Sequence, residues 1–227
     1  MTVNYSDEDL DRSLVSPGDR FGERLRTNLS AEAIQARVIE HEIQMLTHTL
    51  QNLAASGDVP RAAALILGAR RRYICGEGKS AAFAQLVNSD LSATLSNVFL
   101  VDGRGLTGIT VLSDVRASDV LIVFSMRRYR EEVVRLGRLF AEAGGQLIVI
   151  TDSENAPLSS IATTLIKVDT GSASYADSPT SIASVCHLLS TLTTASAKGA
   201  RRRLAARDQY AAEMGLYLPD VAQGDRK

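Results

Sequence analysis

Val120-Leu121-Ile122-Val123-Phe124-Ser125-Met126-Arg127-Arg128-Tyr129-Arg130-Glu131-Glu132 is the stretch on which the fold turns. Its first five residues are apolar without alternation. A strand with one wet face would alternate, so this run predicts a strand buried on both faces, hence a parallel sheet with crossover helices. Three arginines within four positions then follow immediately where the strand ends.

Working outward, similar short apolar runs stand at 72–75, 98–101, 147–150 and 164–168. Helical patterns separate them, near 81–96, 106–113, 129–142 and 157–162, and helices at 178–196 and about 200–214 close the chain. The expected fold class is α/β: a three-layer αβα sandwich around a five-stranded parallel sheet, doubly wound in the flavodoxin-like manner. The expected units are a loosely ordered arm at 1–29, a long amphipathic helix at 30–57, a sheet domain at 58–198 and a C-terminal helix and tail at 199–227. Ser30 is positioned to cap the long helix and Gly57 to end it, with Asp58 capping the next. Ile39, Ile43, Leu46, Leu50 and Leu53 recur along that helix at spacings of four and three. So apolar a seam calls for a cover, either its own domain or a second copy of the chain, and His41 and His48 on the same helix read as surface or interface residues.

The 227 residues are 45% hydrophobic and 22% charged, which rules out bulk disorder. With 25 basic against 26 acidic residues the net charge is −1, so the chain has no general basic footprint for nucleic acid. The run 198–203 with Arg207 reads as a solubilising helix end, and no direct nucleic-acid partner is expected. Cys75 and Cys186 form no disulfide framework, and no His/Cys cluster suggests a metal or a cofactor. With no signal peptide and no long apolar run, neither a membrane partner nor export is expected; the expected location is a reducing cytoplasm.

In a doubly wound sheet, ligands bind beyond the carboxyl ends of the strands. Three segments meet there. Gly76-Glu77-Gly78-Lys79-Ser80 follows the first strand and opens a helix; its glycines permit a tight turn, and helix N–H groups with the Ser80 hydroxyl suit a phosphate. It is neither a Walker loop nor a complete G-x-G-x-x-G, because Ala81 stands where the last glycine would be. Ser125, Arg127, Arg128, Tyr129 and Arg130 form the second segment. Arginines at a helix start oppose the macrodipole, and a bound anion would compensate them; pairing with Glu131 and Glu132 is the simpler alternative. The third segment, Ser174-Tyr175-Ala176-Asp177-Ser178-Pro179-Thr180-Ser181, leads into the helix carrying His187. Capping by Ser178 accounts for it on its own, and Ser178 and Thr180 also suit a polyol or phosphate.

In this order and spacing the segments resemble the sugar isomerase (SIS) domain, and more closely the sugar-phosphate-sensing half of RpiR-type transcription regulators. Gly76-Glu77-Gly78-Lys79-Ser80 is similar to the family's G-x-G-x-S loop. Ser125-Met126-Arg127-Arg128-Tyr129 resembles the variant of its second phosphate loop that ends in Arg-Tyr. Thr151-Asp152-Ser153 with Pro157-Leu158 resembles its TDS…PL segment, and Asp177-Ser178-Pro179-Thr180 the start of its last helix. The likeness spans roughly residues 31–197. It implies binding of a phosphorylated sugar or related carbohydrate derivative, a homodimer or homotetramer, and no cofactor. Arg127, Arg128 and Arg130 replace the second Ser, the Gly and the Thr of the usual S-x-S-G-x-T loop, so phosphate would be held by guanidinium groups more than by hydroxyls. The 29 residues before the long helix are too few for the helix-turn-helix domain of such regulators. Two further functions stay open: an aldose–ketose sugar-phosphate isomerase with Glu77 and His187 as acid and base, and a regulatory partner in RpiR-type control.

Overall fold

Each strand presents apolar side chains to both sides, and the structure, a computed structural model, buries both. It describes residues 30–218 together with Ser16, Gly18 and Phe21. Most of the expected arm at 1–29, and the tail beyond 218, therefore lie outside the described residues.

Helix α1 (Ala31–Ser56) begins where Ser30 accepts a hydrogen bond from the Ala33 N–H at 3.3 Å. It ends at Gly57, whose φ of +69° is the left-handed conformation a glycine adopts without strain. Helix α2 (Asp58–Gly68) starts at the very next residue. Asp58 is thus already helical and pairs with Arg61 instead of capping, a correction that follows from one glycine serving as both stop and start.

The rest alternates strand and helix: β1 (Arg72–Gly76), α3 (Ser80–Thr94), β2 (Val98–Val101), α4 (Gly108–Leu112), β3 (Val120–Ser125), α5 (Glu131–Glu142), β4 (Gln146–Thr151), β5 (Thr164–Lys167), α6 (Thr180–Ala195) and α7 (Ala200–Glu213). All strand pairs are parallel, in the order β2-β1-β3-β4-β5. Ile74, Ile122, Phe124, Ile148 and Ile150 face one layer with α2, α3 and α6. Tyr73, Cys75, Leu121, Val123, Leu147 and Val149 face the other with α4 and α5. That division is the physical origin of the unbroken apolar run at 120–124, every residue of which is at most 1% exposed. Burying such side chains stabilises by about 1.5–3 kcal/mol each.

One further expectation changes. The segment 157–162 is not a helix but one 3-10 turn (Ser159–Ile161), because the Thr163 N–H already bonds to the Leu147 carbonyl and draws the chain into β5. The seam on α1 is covered towards its end only: Leu53 is buried and Leu46 and Leu50 half-buried, while Ile39 and Ile43 are 50% and 61% exposed. Polar contacts also dock α1. Thr49, 1% exposed, donates to Asp169 Oδ2 at 3.0 Å and accepts from the Asp169 N–H at 3.1 Å, while His48 Nδ1 lies 2.7 Å from the same carboxylate oxygen. Among the described residues no helix is long and apolar enough to cross a membrane.

Candidate functional site

Because β1 connects outward to β2 and the chain then returns to β3 on its other side, the crevice of this sheet opens between the carboxyl ends of β1 and β3. Gly76 pairs with Phe124 across it, and Ser125 with Thr151 one step further out. The loop after β1 folds back so closely that a Cβ on Gly76 would stand 2.7 Å from the Ser80 carbonyl oxygen and 3.3 Å from Phe124 Cβ. Gly78 then turns at φ +59° and delivers the chain into α3. Ser80, 8% exposed, is the first residue of that helix, which has neither a side-chain cap nor an acid in its first turn. That leaves a positive helix end facing the crevice.

From β3 comes Ser125, 3% exposed, whose hydroxyl makes no hydrogen bond to any protein atom. A buried hydroxyl without a partner is unusual and points to a ligand-directed position. Arg127 and Arg128 follow, exposed at the mouth. Tyr129 donates to Asp152 Oδ1 at 3.1 Å. Burial, then the Asp152 charge, raises its phenol above the ordinary range despite the opposing pull of Arg127. Arg130 reaches back to the first loop: its Nη2 lies 3.2 Å from the place a Gly78 Cβ would take. Helix α5 begins only at Glu131, so the arginines precede it and Glu131 and Glu132 fill its first turn. The macrodipole is therefore complemented by acids, which corrects the idea that an anion is needed to offset arginines inside the helix. The two glutamates do not pair with the arginine run either. Glu131 binds Arg135 one turn on, and Glu132 acts on Glu77. Burial, then Glu132, pushes the Glu77 carboxyl up, against the attraction of Arg130.

The third loop closes the side. Lys79 donates to the Asp177 carbonyl oxygen, which ties it to the loop after β1. Ser178, 2% exposed, donates to Glu42 Oε2 at 2.5 Å and accepts from the Thr180 N–H at 3.1 Å. The N-cap of α6 is Pro179, one residue beyond the expected Ser178; the Ser178 hydroxyl instead holds the Thr180 N–H from the preceding turn, with both its hydrogen-bonding roles engaged inside the protein. Thr180 is half-buried at the start of α6, and beside it Ser181 has a buried hydroxyl without a partner. His187 is exposed on α6, seven residues after Thr180, which is about 10 Å along the axis.

The fold therefore gathers Gly76, Glu77, Gly78, Lys79, Ser80, Ser125, Arg127, Arg128, Tyr129 and Arg130 around one crevice, with Thr180 at its flank. His187 stands exposed further along α6, and the carboxyl beside Glu77 is Glu132. Two participants escaped the sequence reading. Asp152 lies in a segment read only for its resemblance. Glu42 stands 136 residues from its partner, with no local pattern to mark it. Among the described residues no group of three or more His, Cys, Asp or Glu side chains is placed to hold a metal ion.

The SIS domain model matches residues 65–195, more than half of the 227-residue chain, and the chain belongs to this family. The sugar isomerase domain of an RpiR transcription factor from Sphaerobacter thermophilus superposes with a TM-score of 0.70 at 24% identity, covering 79% of this chain and 98% of that one. The Vibrio vulnificus NanR protein complexed with ManNAc-6P gives 0.63 at 14% identity, covering 78% and 69%. A Methanococcus jannaschii protein whose structure infers a 3-hexulose-6-phosphate isomerase function gives 0.54 at 14% identity, covering 82% and 98%. At these identities the solved structures establish the fold. Comparison with curated proteins gives no match.

Proposed function

We propose that the chain binds a phosphorylated sugar or related carbohydrate derivative in the crevice between β1 and β3 and acts as a sensor or binding protein. The observation that carries this reading is the buried, unpartnered Ser125 hydroxyl at the carboxyl end of β3, beside the strand whose loop carries Ser80 into the positive end of α3. A phosphate oxygen would accept from both hydroxyls in the positive field of the helix start, and Arg127, Arg128 and Arg130 would neutralise the remaining charge. A neighbour of the same fold is complexed with ManNAc-6P, which supports a ligand of that class. The binding unit in this reading is 58–198, inside a homodimer or homotetramer in the cytoplasm.

An isomerase is the second reading, favoured by the raised Glu77 carboxyl beside Glu132, a pair able to hold and pass one proton. The exposure of His187 weighs against its partnership with Glu77 in that chemistry. A role as a regulatory partner in RpiR-type control is compatible with binding alone.

The deciding experiment is calorimetry of the full chain with a panel of sugar phosphates, ManNAc-6P among them. Product analysis on the same panel runs alongside. Binding without turnover is the expected result. Arg128→Ala is expected to weaken that binding at least about tenfold, as loss of one charge-assisted contact does. Turnover would replace the sensor reading with the isomerase, and absence of any binding would overturn both.

A further inference from the structure

At the amino end of β1, some 13 Å along the strand from Gly76, lies a cavity of about 510 Å³. Its size is that of a small-molecule site, roughly 300–1,000 Å³. The ends of α2, α3 and α6 and the start of α7 surround it, and its lining carries Arg72, Lys198, Arg202 and Arg203 with no acidic residue.

Gathering four cations on one concave wall is electrostatically unfavourable unless something negative meets them. Three helix carboxyl ends do point here, and each carries partial negative charge. Arg72 answers two of them, α2 and α3: 7% exposed, it donates to the Ile66 carbonyl at 2.6 Å and to the Leu67 and Ser96 carbonyls at 3.1 Å each. Lys198, Arg202 and Arg203 do nothing of the kind. They are exposed and make no ion pair or hydrogen bond among the described residues, and the start of α7 adds positive character of its own. Complementing the helix ends therefore explains one of the four cations and leaves three.

We propose that this cavity is a second anion site, separate from the crevice at the carboxyl ends, and that it takes a small polyanion with at least two adjacent phosphoryl groups. Lys198 stands in the turn before α7, while Arg202 and Arg203 leave the helix about 100° apart. Three cations diverging from one wall match the two phosphoryl groups of a diphosphate better than a single phosphate, and Ser96 and Ser196 line the same wall. Inorganic pyrophosphate and the diphosphate of a nucleotide share this chemistry.

The test uses the full chain carrying Arg128→Ala, which weakens the crevice at least about tenfold, titrated calorimetrically with pyrophosphate and with ADP at physiological ionic strength. Binding is expected to persist in this chain. It is expected to weaken at least about tenfold when Lys198→Ala, Arg202→Ala or Arg203→Ala is added. All three side chains are exposed, so the variants fold. Tighter binding of ADP would identify a nucleotide, and equal or weaker binding the inorganic anion. No binding in the Arg128→Ala chain, or binding indifferent to the three cations, overturns the proposal. So does a DNA duplex that binds through the same residues more tightly than pyrophosphate, since the basic wall would then be a nucleic-acid contact. Arg202→Ala alone leaves sugar-phosphate binding unchanged, so failure here and failure of the sensor reading are told apart.

Discussion

Ser178 donates a 2.5 Å hydrogen bond to Glu42, and through it the loop that flanks the crevice is fastened to helix α1. The acceptor is a carboxylate, and the serine is 2% exposed, so the bond is charge-assisted and shielded from water. The same hydroxyl holds the Thr180 N–H at the start of α6. One side chain therefore positions α1, the third loop and α6 together.

Ser178→Ala is expected to lower stability by about 1–3 kcal/mol, because it leaves a half-buried carboxylate and a helix N–H without partners. Glu42→Gln keeps the shape and removes only the charge, so its effect is expected to be smaller. Thermal melting measures both. An unchanged melting temperature for Ser178→Ala would show that water replaces the bond at no cost.

Gly76→Ala tests the close approach at the crevice. The added Cβ meets the Ser80 carbonyl oxygen at 2.7 Å, a backbone atom that cannot move without shifting the start of α3. The expected result is a loss of about 1–3 kcal/mol together with weakened sugar-phosphate binding, since the hydroxyl and N–H groups of that helix start are displaced. Gly103→Ala serves as the comparison. It has a strained φ of +71° but nothing within 4 Å, and so is expected to cost about 1 kcal/mol and leave binding intact.

Two carboxyls give opposite responses to pH. Burial alone would raise Asp119, but Arg70, donating through Nε at 2.9 Å and Nη2 at 2.7 Å, together with the Arg116 N–H, outweighs it and holds the carboxyl below the usual range. Its stabilisation is complete above the ordinary Asp range and is lost as pH falls through the lowered folded value. Asp119→Asn is expected to cost about 2–3 kcal/mol near neutral pH, below the figure for a fully buried pair because Arg70 stays partly exposed. The gap to the unaltered chain should close in acid. Glu77 is raised, first by burial and then by Glu132, so it favours the fold in acid and this contribution is lost as pH rises through its folded value. Glu77→Gln is therefore expected to raise the melting temperature near neutral pH and to bring no gain below the ordinary Glu range. Melting curves across pH that fail to diverge in these two directions would contradict the assignments.

The sheet was legible because burial on both faces writes itself into sequence as runs such as 120–124, and each of the five expected strands is present to within about a residue at either end. The crevice was legible for a related reason: a parallel sheet confines ligands to one end, which singles out the segments after 76 and 125. Long-range polar pairing was not. Nothing near Ser178 announces Glu42, and nothing in Glu131-Glu132 tells which glutamate turns to Arg135 and which to Glu77. Such pairings depend on how helices are set against the sheet, and hydrophobic periodicity carries no record of that. The seam on α1 shows the same limit. Its period correctly gave a helix, yet the residue docking it most deeply is Thr49, outside the apolar pattern.

Both cysteines are expected to be inert. Burial pushes the Cys75 thiol up to about 12, with Glu77 adding to it, and burial likewise pushes Cys186 up to about 12, with Asp90 adding to it. The thiolate is the reactive form, so neither thiol should react with an alkylating reagent near neutral pH unless the chain unfolds. Rapid labelling of the folded chain, read by mass spectrometry, would contradict their burial.

The last prediction concerns what covers α1. Ile39 and Ile43 lie on successive turns and are 50% and 61% exposed, with Leu46 and Leu50 half-buried beyond them. An apolar stripe this long on a helix of 26 residues is costly to leave in water, at about 25 cal/mol for each Å². A second copy of the chain would present the same stripe, and a two-fold axis across α1 pairs like with like, as closed dimers require. Glu42 lies beside the stripe and is held by Ser178, so such an interface would stand one hydrogen bond away from the third loop of the crevice. The chain is therefore expected to be at least a dimer at micromolar concentration. Ile43→Asp is expected to shift it to monomer without unfolding it, since the side chain is exposed within one copy. Light scattering on both proteins, with circular dichroism to verify folding, provides the measurement. A monomeric parent chain would reject the interface, and a dimer indifferent to Ile43→Asp would place it elsewhere on the surface.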